Sequence, residues 1–325
     1  MSEKFLSVKN LDVHYVTSEA DVFAVNGVSF DLERGKTLGL IGETGAGKTT
    51  IARSILRILP NPPAEVKGGS IEFDGVNLMD ITEKEMQKIR GDKITMIFQD
   101  PMTALNPVMT VGEQIAEVVA LHNGGDKEAA KQRAIEMLET VGIPAERYME
   151  YPHQFSGGMK QRVVIAIALA CDPDLLLADE PTTALDVTIQ AQVLDLMREL
   201  NNKNNTSMIL ITHDLGVVAE MCDNVAIVYA GQIVEIGSLE DIFDNPKHPY
   251  TNGLFGALPS MKDEDEDDEY LHPIAGMPPD PTKLPSGCYF SPRCPYATDK
   301  CRQGEVPDVE VTPGHICKCH LVGEV

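Results

Sequence analysis

The stretch that constrains this chain most is "GETGAGKT", Gly42 to Thr49. A short apolar run, "TLGLIG", leads into it, and helix-compatible sequence follows from Lys48 to Leu59 until "PNPP" stops it, because proline cannot continue a helix. Glycine, four residues, glycine, lysine and a hydroxyl residue between a strand and a helix form a phosphate-binding loop. Successive backbone N–H groups converge on phosphate oxygens there, and the helix N-terminus adds partial positive charge. The pattern assigns Lys48 to terminal phosphates and Thr49 to magnesium. The flanking strand and helix separate this reading from a simple glycine turn.

A second element supports the first. In "LLLADEP" a buried apolar strand ends in Asp179 and Glu180, two carboxylates that are costly to ionise at the edge of a core unless a cation is near. Asp179 suits the outer shell of magnesium, and Glu180 suits a base that orients an attacking water. The same alternation of short strands and helices continues through "KITMIF", the helical stretch Thr188 to Asn202 and "MILITHD", which predicts a mainly parallel sheet covered on both faces. "GSIEFDGVNL" predicts a hairpin around Asp74-Gly75, and "VAIVYAGQIVEIG" a second one. From about Thr110 to Ala170 the sequence is mostly helical, an insertion between strands.

The net charge of -23 argues against a sequence-independent grip on nucleic acid, which needs lysine and arginine to displace counterions. "MSEKFLSVKN" lacks the form of a secretory signal, and the longest apolar run, Val163 to Cys171, is too short to span a bilayer. A cytosolic chain that reaches a membrane only through a partner is expected. Cys171 and Cys222 stand alone beside apolar sequence and read as packing.

The segments "QFSGGMKQRVVIAIAL" (154–169), "ADEPTTALD" (178–186) and "ILITHD" (209–214), in this order after the lysine loop, resemble the signature, Walker B with D-loop, and H-loop segments of ATP-binding cassette (ABC) ATPases. The resemblance implies an α/β P-loop NTPase of RecA-like fold with an antiparallel β subdomain and a helical subdomain at about 104–170, together spanning residues 1–260. It implies that ATP lies against Gly42, Glu43, Thr44, Gly45, Ala46, Gly47, Lys48, Thr49 and Thr50, with magnesium held through Thr49, Gln99 and Asp179. Gln99 in "IFQDP" is then the Q-loop residue that senses a membrane partner, His213 the switch histidine, Glu180 the catalytic base and Asp186 the D-loop aspartate. Ser156, Gly157 and Gly158 would cap the nucleotide of an opposing subunit, so activity requires a dimer. Met159 stands where many members carry glutamine, just past that trio. Tyr15 is expected to stack on adenine, with Phe23 its rival.

"YPHQFSGGM", "DVTIQAQVLDLM", "NPKHPYTNGLFGALP" and "GCYFSPRCPYATDKC...GHICKCH" together resemble the ATPase subunits of oligopeptide and dipeptide importers. That resemblance implies a second ATPase subunit, two permeases, an extracellular substrate-binding protein and a place on the cytoplasmic face of the cell membrane. Nickel or another small solute is the alternative cargo. A soluble cassette ATPase acting on DNA or ribosomes is a further alternative, opposed by the acidic charge, the single set of motifs and the lack of heptads between Lys48 and Ser156. Residues 261–325 read as an acidic linker, seven consecutive acids from Asp263 to Glu269, and a cysteine-rich tail too poor in apolar sequence for its own core. Such a tail needs a metal centre or a surface to lie on. Cys288, Cys294, Cys301 and Cys319 are spaced too widely for paired zinc knuckles, and four thiolates suit an iron-sulfur cluster. The family's terminal pattern favours Cys319, before His320, over Cys317. One 4Fe-4S cluster that folds the tail is therefore expected, with zinc as the alternative.

Overall fold

In the computed structural model, described for residues 4–183, 185–257 and 274–322, two sheets meet at the Gly42–Thr49 loop. The chain opens with β1 (Lys4–Val16) and β2 (Asp21–Glu33), an antiparallel pair, and then enters β3 (Thr37–Ile41) and α1 (Lys48–Ile55). β4 (Ala64–Phe73) and β5 (Val76–Asn77) form the expected hairpin, with Asp74 and Gly75 at φ 48° and 77°. Two successive positive φ angles are the turn that matches strand twist, and Asp-Gly suits it. These strands form a four-stranded sheet in the order β2-β1-β4-β5.

α2 (Glu83–Ile89) leads to β6 (Ile94–Ile97), and the helical insertion follows as α3 (Pro101–Ala104), α4 (Val111–His122), α5 (Lys127–Thr140) and α6 (Gly157–Leu169). Thr110 opens α4 with a capping box to Glu113, which satisfies N–H groups at the start of the helix. The chain then alternates through β7 (Leu175–Asp179), α7 (Val187–Asn204), β8 (Ser207–Ile211), α8 (Leu215–Met221), β9 (Asn224–Tyr229) and β10 (Gln232–Ser238). α9 (Leu239–Asp244) and α10 (Pro249–Gly256) complete this part, and the tail adds β11 (Asp308–Thr312) and β12 (His315–Lys318).

The main sheet runs β11-β12-β10-β9-β3-β8-β7-β6, parallel from β6 to β9 and antiparallel beyond. Every residue of β7 and β8 is buried, because helices cover one face and the smaller sheet the other. Leu176, Ala178, Met208 and Leu210 join the core under the helices, while Leu175, Leu177, Ile209 and Ile211 join the core against β1 and β4. That two-residue alternation is the pleat of a strand buried on both sides. Among the described residues no helix is long and apolar enough to cross a membrane.

Helix α1 ends earlier than expected. It stops at Ile55, before the prolines, because Arg57 turns the chain at φ 51° and donates to the carbonyls of Leu78 and Ile81. The tail departs further from expectation. Among the described residues no group of three or more histidine, cysteine, aspartate or glutamate side chains is placed to hold a metal ion, so neither the 4Fe-4S cluster nor zinc at Cys288, Cys294, Cys301 and Cys319 stands. The physical reason is that the tail borrows the core of the chain before it. β12 adds to the free edge of β10 through Glu235–Cys317 and Ile236–Ile316, and Phe290, 2% exposed, packs on Tyr229 and Tyr250. Burial pushes the Cys288 thiol up to about 11 and raises Cys294, Cys317 and Cys319 as well, which favours the neutral thiol. The acidic run 263–269 lies outside the described residues.

Candidate nucleotide site

The loop after β3 is shaped by glycines that admit no side chain. A Cβ on Gly42 would meet the Val228 carbonyl oxygen at 2.1 Å, and one on Gly47, at φ 103°, the Ala24 carbonyl at 2.4 Å. Bare backbone thus brings the loop down between β9 and β2 and opens α1 toward the cavity. Lys48, the first residue of α1, is 7% exposed and donates to the carbonyls of Gly42 at 2.6 Å and Glu43 at 2.9 Å. Burial lowers its pKa, opposed by Glu180, Asp179 and Glu43. An ammonium held there gains from any anion that arrives.

Asp179 ends β7 and is 3% exposed. Burial raises its pKa, while the hydroxyl of Thr49, donating at 3.0 Å, pulls it down. Hydroxyl and carboxylate oxygens side by side are the donor set that magnesium takes beside phosphates. Glu180 follows at φ 48°, a conformation that costs a non-glycine residue energy and is common where function requires it. Its N–H donates to the Ile211 carbonyl at 2.8 Å, tying it to the end of β8, just before His213. Glu180 Oε2 accepts from Gln99 Nε2 at 2.8 Å and Thr183 Oγ1 at 3.0 Å, and Oε1 lies 3.3 Å from His213 Nδ1. Burial pushes its carboxyl up, but these hydrogen bonds outweigh burial and hold it below the usual glutamate value.

A cavity of about 580 Å³ opens between these groups. Thr44, Gly45, Ala46, Gly47, Lys48, Thr49 and Thr50 line it with Tyr15, Gln99, Glu180 and His213. Gly42, Glu43 and Asp179 are not among its lining residues, and Lys48 and Thr49 connect them to it. Tyr15 shares the cavity and its hydroxyl lies 3.2 Å from Thr50 Oγ1, whereas Phe23 packs edge-on against His14 and faces a smaller adjoining cavity. Ser156, Gly157, Gly158 and Asp186 do not line the site. Ser156 caps α6, accepting from Met159 N–H at 3.4 Å, and Asp186 caps α7, accepting from Ile189 N–H at 3.0 Å. A larger cavity, about 640 Å³, lies between β10 and the tail and holds none of the expected site residues.

Two neighbours of the site had no signal in the sequence. Pro281 of the tail lines the cavity at Lys48 and accepts from Phe23 N–H at 2.9 Å, and Arg293 pairs with Glu43. Both sit more than two hundred positions from the loop, and nothing local in either sequence points to it.

A parallel sheet feeding a glycine loop, a lysine set against two carboxylates and a helical insertion carrying its own capped Ser-Gly-Gly define an ATPase of the ATP-binding cassette class. Residues 25–183 match the profile of the ABC transporter family, and residues 234–301 that of the oligopeptide/dipeptide transporter C-terminal region. Over 321 residues the chain is 51% identical to the oligopeptide transport ATP-binding protein OppD of Bacillus subtilis, covering 98% of this chain and 89% of that protein. With the dipeptide transport ATP-binding protein DppD of Escherichia coli it shares 47% identity, over 97% of this chain and 96% of that one. The solved dimeric, post-hydrolysis structure of the ATP-binding cassette MJ0796 with ADP and Pi superposes with a TM-score of 0.65 at 28% identity, over 72% of this chain and 98% of that one. The chain belongs to the family of oligopeptide and dipeptide ABC transporter ATP-binding proteins.

Proposed function

We propose that this chain is the ATP-hydrolysing subunit of an importer of di- and oligopeptides, working at the cytoplasmic face of the membrane. Its cassette spans 1–260 with the helical subdomain at 104–170, and 261–325 is the C-terminal extension. It pairs with a second ATPase subunit on two permeases, supplied by an extracellular substrate-binding protein. The observation that carries the reading is the buried Lys48 sharing one cavity with Glu180 and with Thr49, whose hydroxyl donates to Asp179 just behind it, charges that a magnesium-bound triphosphate would complement.

Within that reading the loop from Gly42 to Thr50 holds the phosphates and Tyr15 the adenine. Thr49, Asp179 and Gln99 would hold magnesium, which spreads the negative charge of the phosphates. Glu180 orients the attacking water and accepts its proton, helped by the hydrogen bonds that keep it ionised. His213 stands at the end of the same carboxylate and steadies it toward the terminal phosphate. Gln99, which donates to Glu180 at 2.8 Å, would have to give up that bond to hold the metal, which would carry occupancy of the site into the segment that follows β6. Ser156, Gly157 and Gly158 present a hydroxyl, bare backbone and the N-terminus of α6 to a partner's nucleotide.

The test is the assembled transporter in vesicles. Glu180→Gln keeps ATP binding and loses most hydrolysis, while Lys48→Ala weakens binding itself. ATP-driven uptake of labelled peptide is expected in the parent; uptake of nickel without peptide would reassign the cargo, and parental turnover by the glutamine variant would reassign the base.

A further inference from the structure

The tail touches the nucleotide loop from behind. Arg293, with a side chain 6% exposed, places Nη1 at 3.0 Å from both carboxylate oxygens of Glu43 and 3.3 Å from Tyr229 Oη. Its Nε and Nη2 donate to the carbonyls of Ala275 at 3.1 Å and Ile274 at 3.4 Å, and its guanidinium lies within 6.0 Å of the ring centroids of Tyr229 and Phe290. Glu43 is held at every polar group. Its N–H donates to Tyr250 Oη at 3.1 Å, and its carbonyl accepts from Lys48 Nζ and, at 3.1 Å, from Ala46 N–H. One residue of the loop therefore connects the tail, α10 and the phosphate-facing lysine.

The placement has an electrostatic consequence. Glu43 puts a carboxylate on the loop that is to receive a triphosphate, near enough to act on the Lys48 ammonium, and a like charge there raises the cost of binding. The Arg293 guanidinium, with Nη1 on both carboxylate oxygens and Nε and Nη2 on tail carbonyls, cancels that charge and ties the loop to the tail. A loop already fixed loses less conformational freedom when ligand arrives.

We propose that the C-terminal tail is part of the nucleotide site, with Arg293 a positioning residue that neutralises Glu43 and holds the loop in its phosphate-receiving shape, and Pro281 a piece of the cavity wall. This rests on the reading of the cavity as an ATP site. The role is electrostatic, so removing both charges restores what removing one destroys.

The test is Mg-ATP affinity of the full-length chain, measured by displacement of a fluorescent ATP analogue, with thermal unfolding of the nucleotide-free protein in parallel. Arg293→Ala weakens binding about tenfold, the equivalent of ~1.4 kcal/mol. Arg293→Lys, which keeps the charge but not the fork, falls between, and the double variant Arg293→Ala with Glu43→Gln binds within a few-fold of the parent. An unchanged affinity in Arg293→Ala or Arg293→Lys beside a lowered Tm makes the pair a structural anchor only and overturns the proposal. Failure of the double variant to recover, with its Tm at that of Arg293→Ala, overturns it too. Lys48→Ala keeps the two readings apart: if it binds like the parent, the ATP site itself is misassigned, whereas if it alone loses binding, only the role of Arg293 falls.

Discussion

Asp179 shows at the scale of one residue how a buried carboxylate, proposed as a magnesium ligand, costs the fold that carries it. Burial has raised its pKa, so the ionised form is disfavoured in the folded chain; that cost is absent below the ordinary carboxylate range and is fully present above the raised value. Asp179→Asn removes the charge and keeps an oxygen for the Thr49 hydroxyl. It should raise the Tm of the nucleotide-free chain by about 3 °C, corresponding to ~1 kcal/mol, and abolish the extra stabilisation that magnesium adds to ATP. Calorimetry with and without Mg-ATP checks both, and a lower apo Tm would mean that the hydroxyl bond outweighs the burial. His248 carries the opposite sign of pH dependence. It caps α10 by accepting from Tyr250 N–H at 3.0 Å, it is 1% exposed, and burial has lowered its pKa to about 3. Between pH 6.5 and that value the unfolded chain binds a proton that the folded chain does not, so stability is complete above 6.5 and is lost as the pH falls. His248→Asn, which caps as well and does not titrate, should flatten this acid limb by about 1 kcal/mol per pH unit, read from urea unfolding between pH 4 and 7.

Among the elements, β10 bears the join between cassette and tail. Glu235, fully buried on this strand, accepts from Lys247 N–H at 2.6 Å, His248 N–H at 2.9 Å and His315 Nε2 at 2.8 Å. Glu235→Ala strands two buried donors, His248 N–H and His315 Nε2, and the half-buried Lys247 N–H, and should cost about 3 kcal/mol, with residues 274–322 becoming the first target of limited proteolysis. An unaltered digestion pattern would show that Phe290 and the strand pairing hold the tail without it. This join also marks where the sequence stopped being legible. β3, β7 and β8 announce themselves as dense apolar runs, and the Asp74-Gly75 turn is local chemistry. β12 is four residues, "HICK", with burial at only two of them, and it becomes a strand because the free edge of β10, about 80 positions away, supplies its partner. The cysteines pointed to a metal because a tail with so few apolar residues has no core of its own. The missing surface was Tyr229, Tyr250 and the edge of β10, all from the cassette. The lysine loop, Asp179, Glu180, Gln99 and His213 were legible because each ends or follows a strand of the same sheet, while the Arg293–Glu43 pair joins positions that only the fold brings together.

For the whole molecule the proposed reading makes one chain an incomplete site. The cavity at Lys48 is lined by no residue of the Ser156–Gly158 trio, which opens α6 elsewhere on the same chain. Hydrolysis should therefore rise with chain concentration or with addition of the second ATPase subunit, and a monomer held by dilution should bind Mg-ATP without turning it over. The charge of the chain sets the conditions for that pairing. Two copies at -23 each repel over the Debye length, which falls from ~30 Å at 0.01 M salt to ~10 Å at 0.1 M. The ATP-bound homodimer of Glu180→Gln should thus become tighter as salt is raised over this range, seen by sedimentation as a growing dimer fraction at fixed protein. Pairing with a less acidic second ATPase should show a weaker salt dependence, because long-range repulsion scales with the product of the two charges. A homodimer that instead dissociates as salt rises would mean that attractive ion pairs at the shared face dominate over net charge, and the preference for a less acidic partner would lose its physical basis.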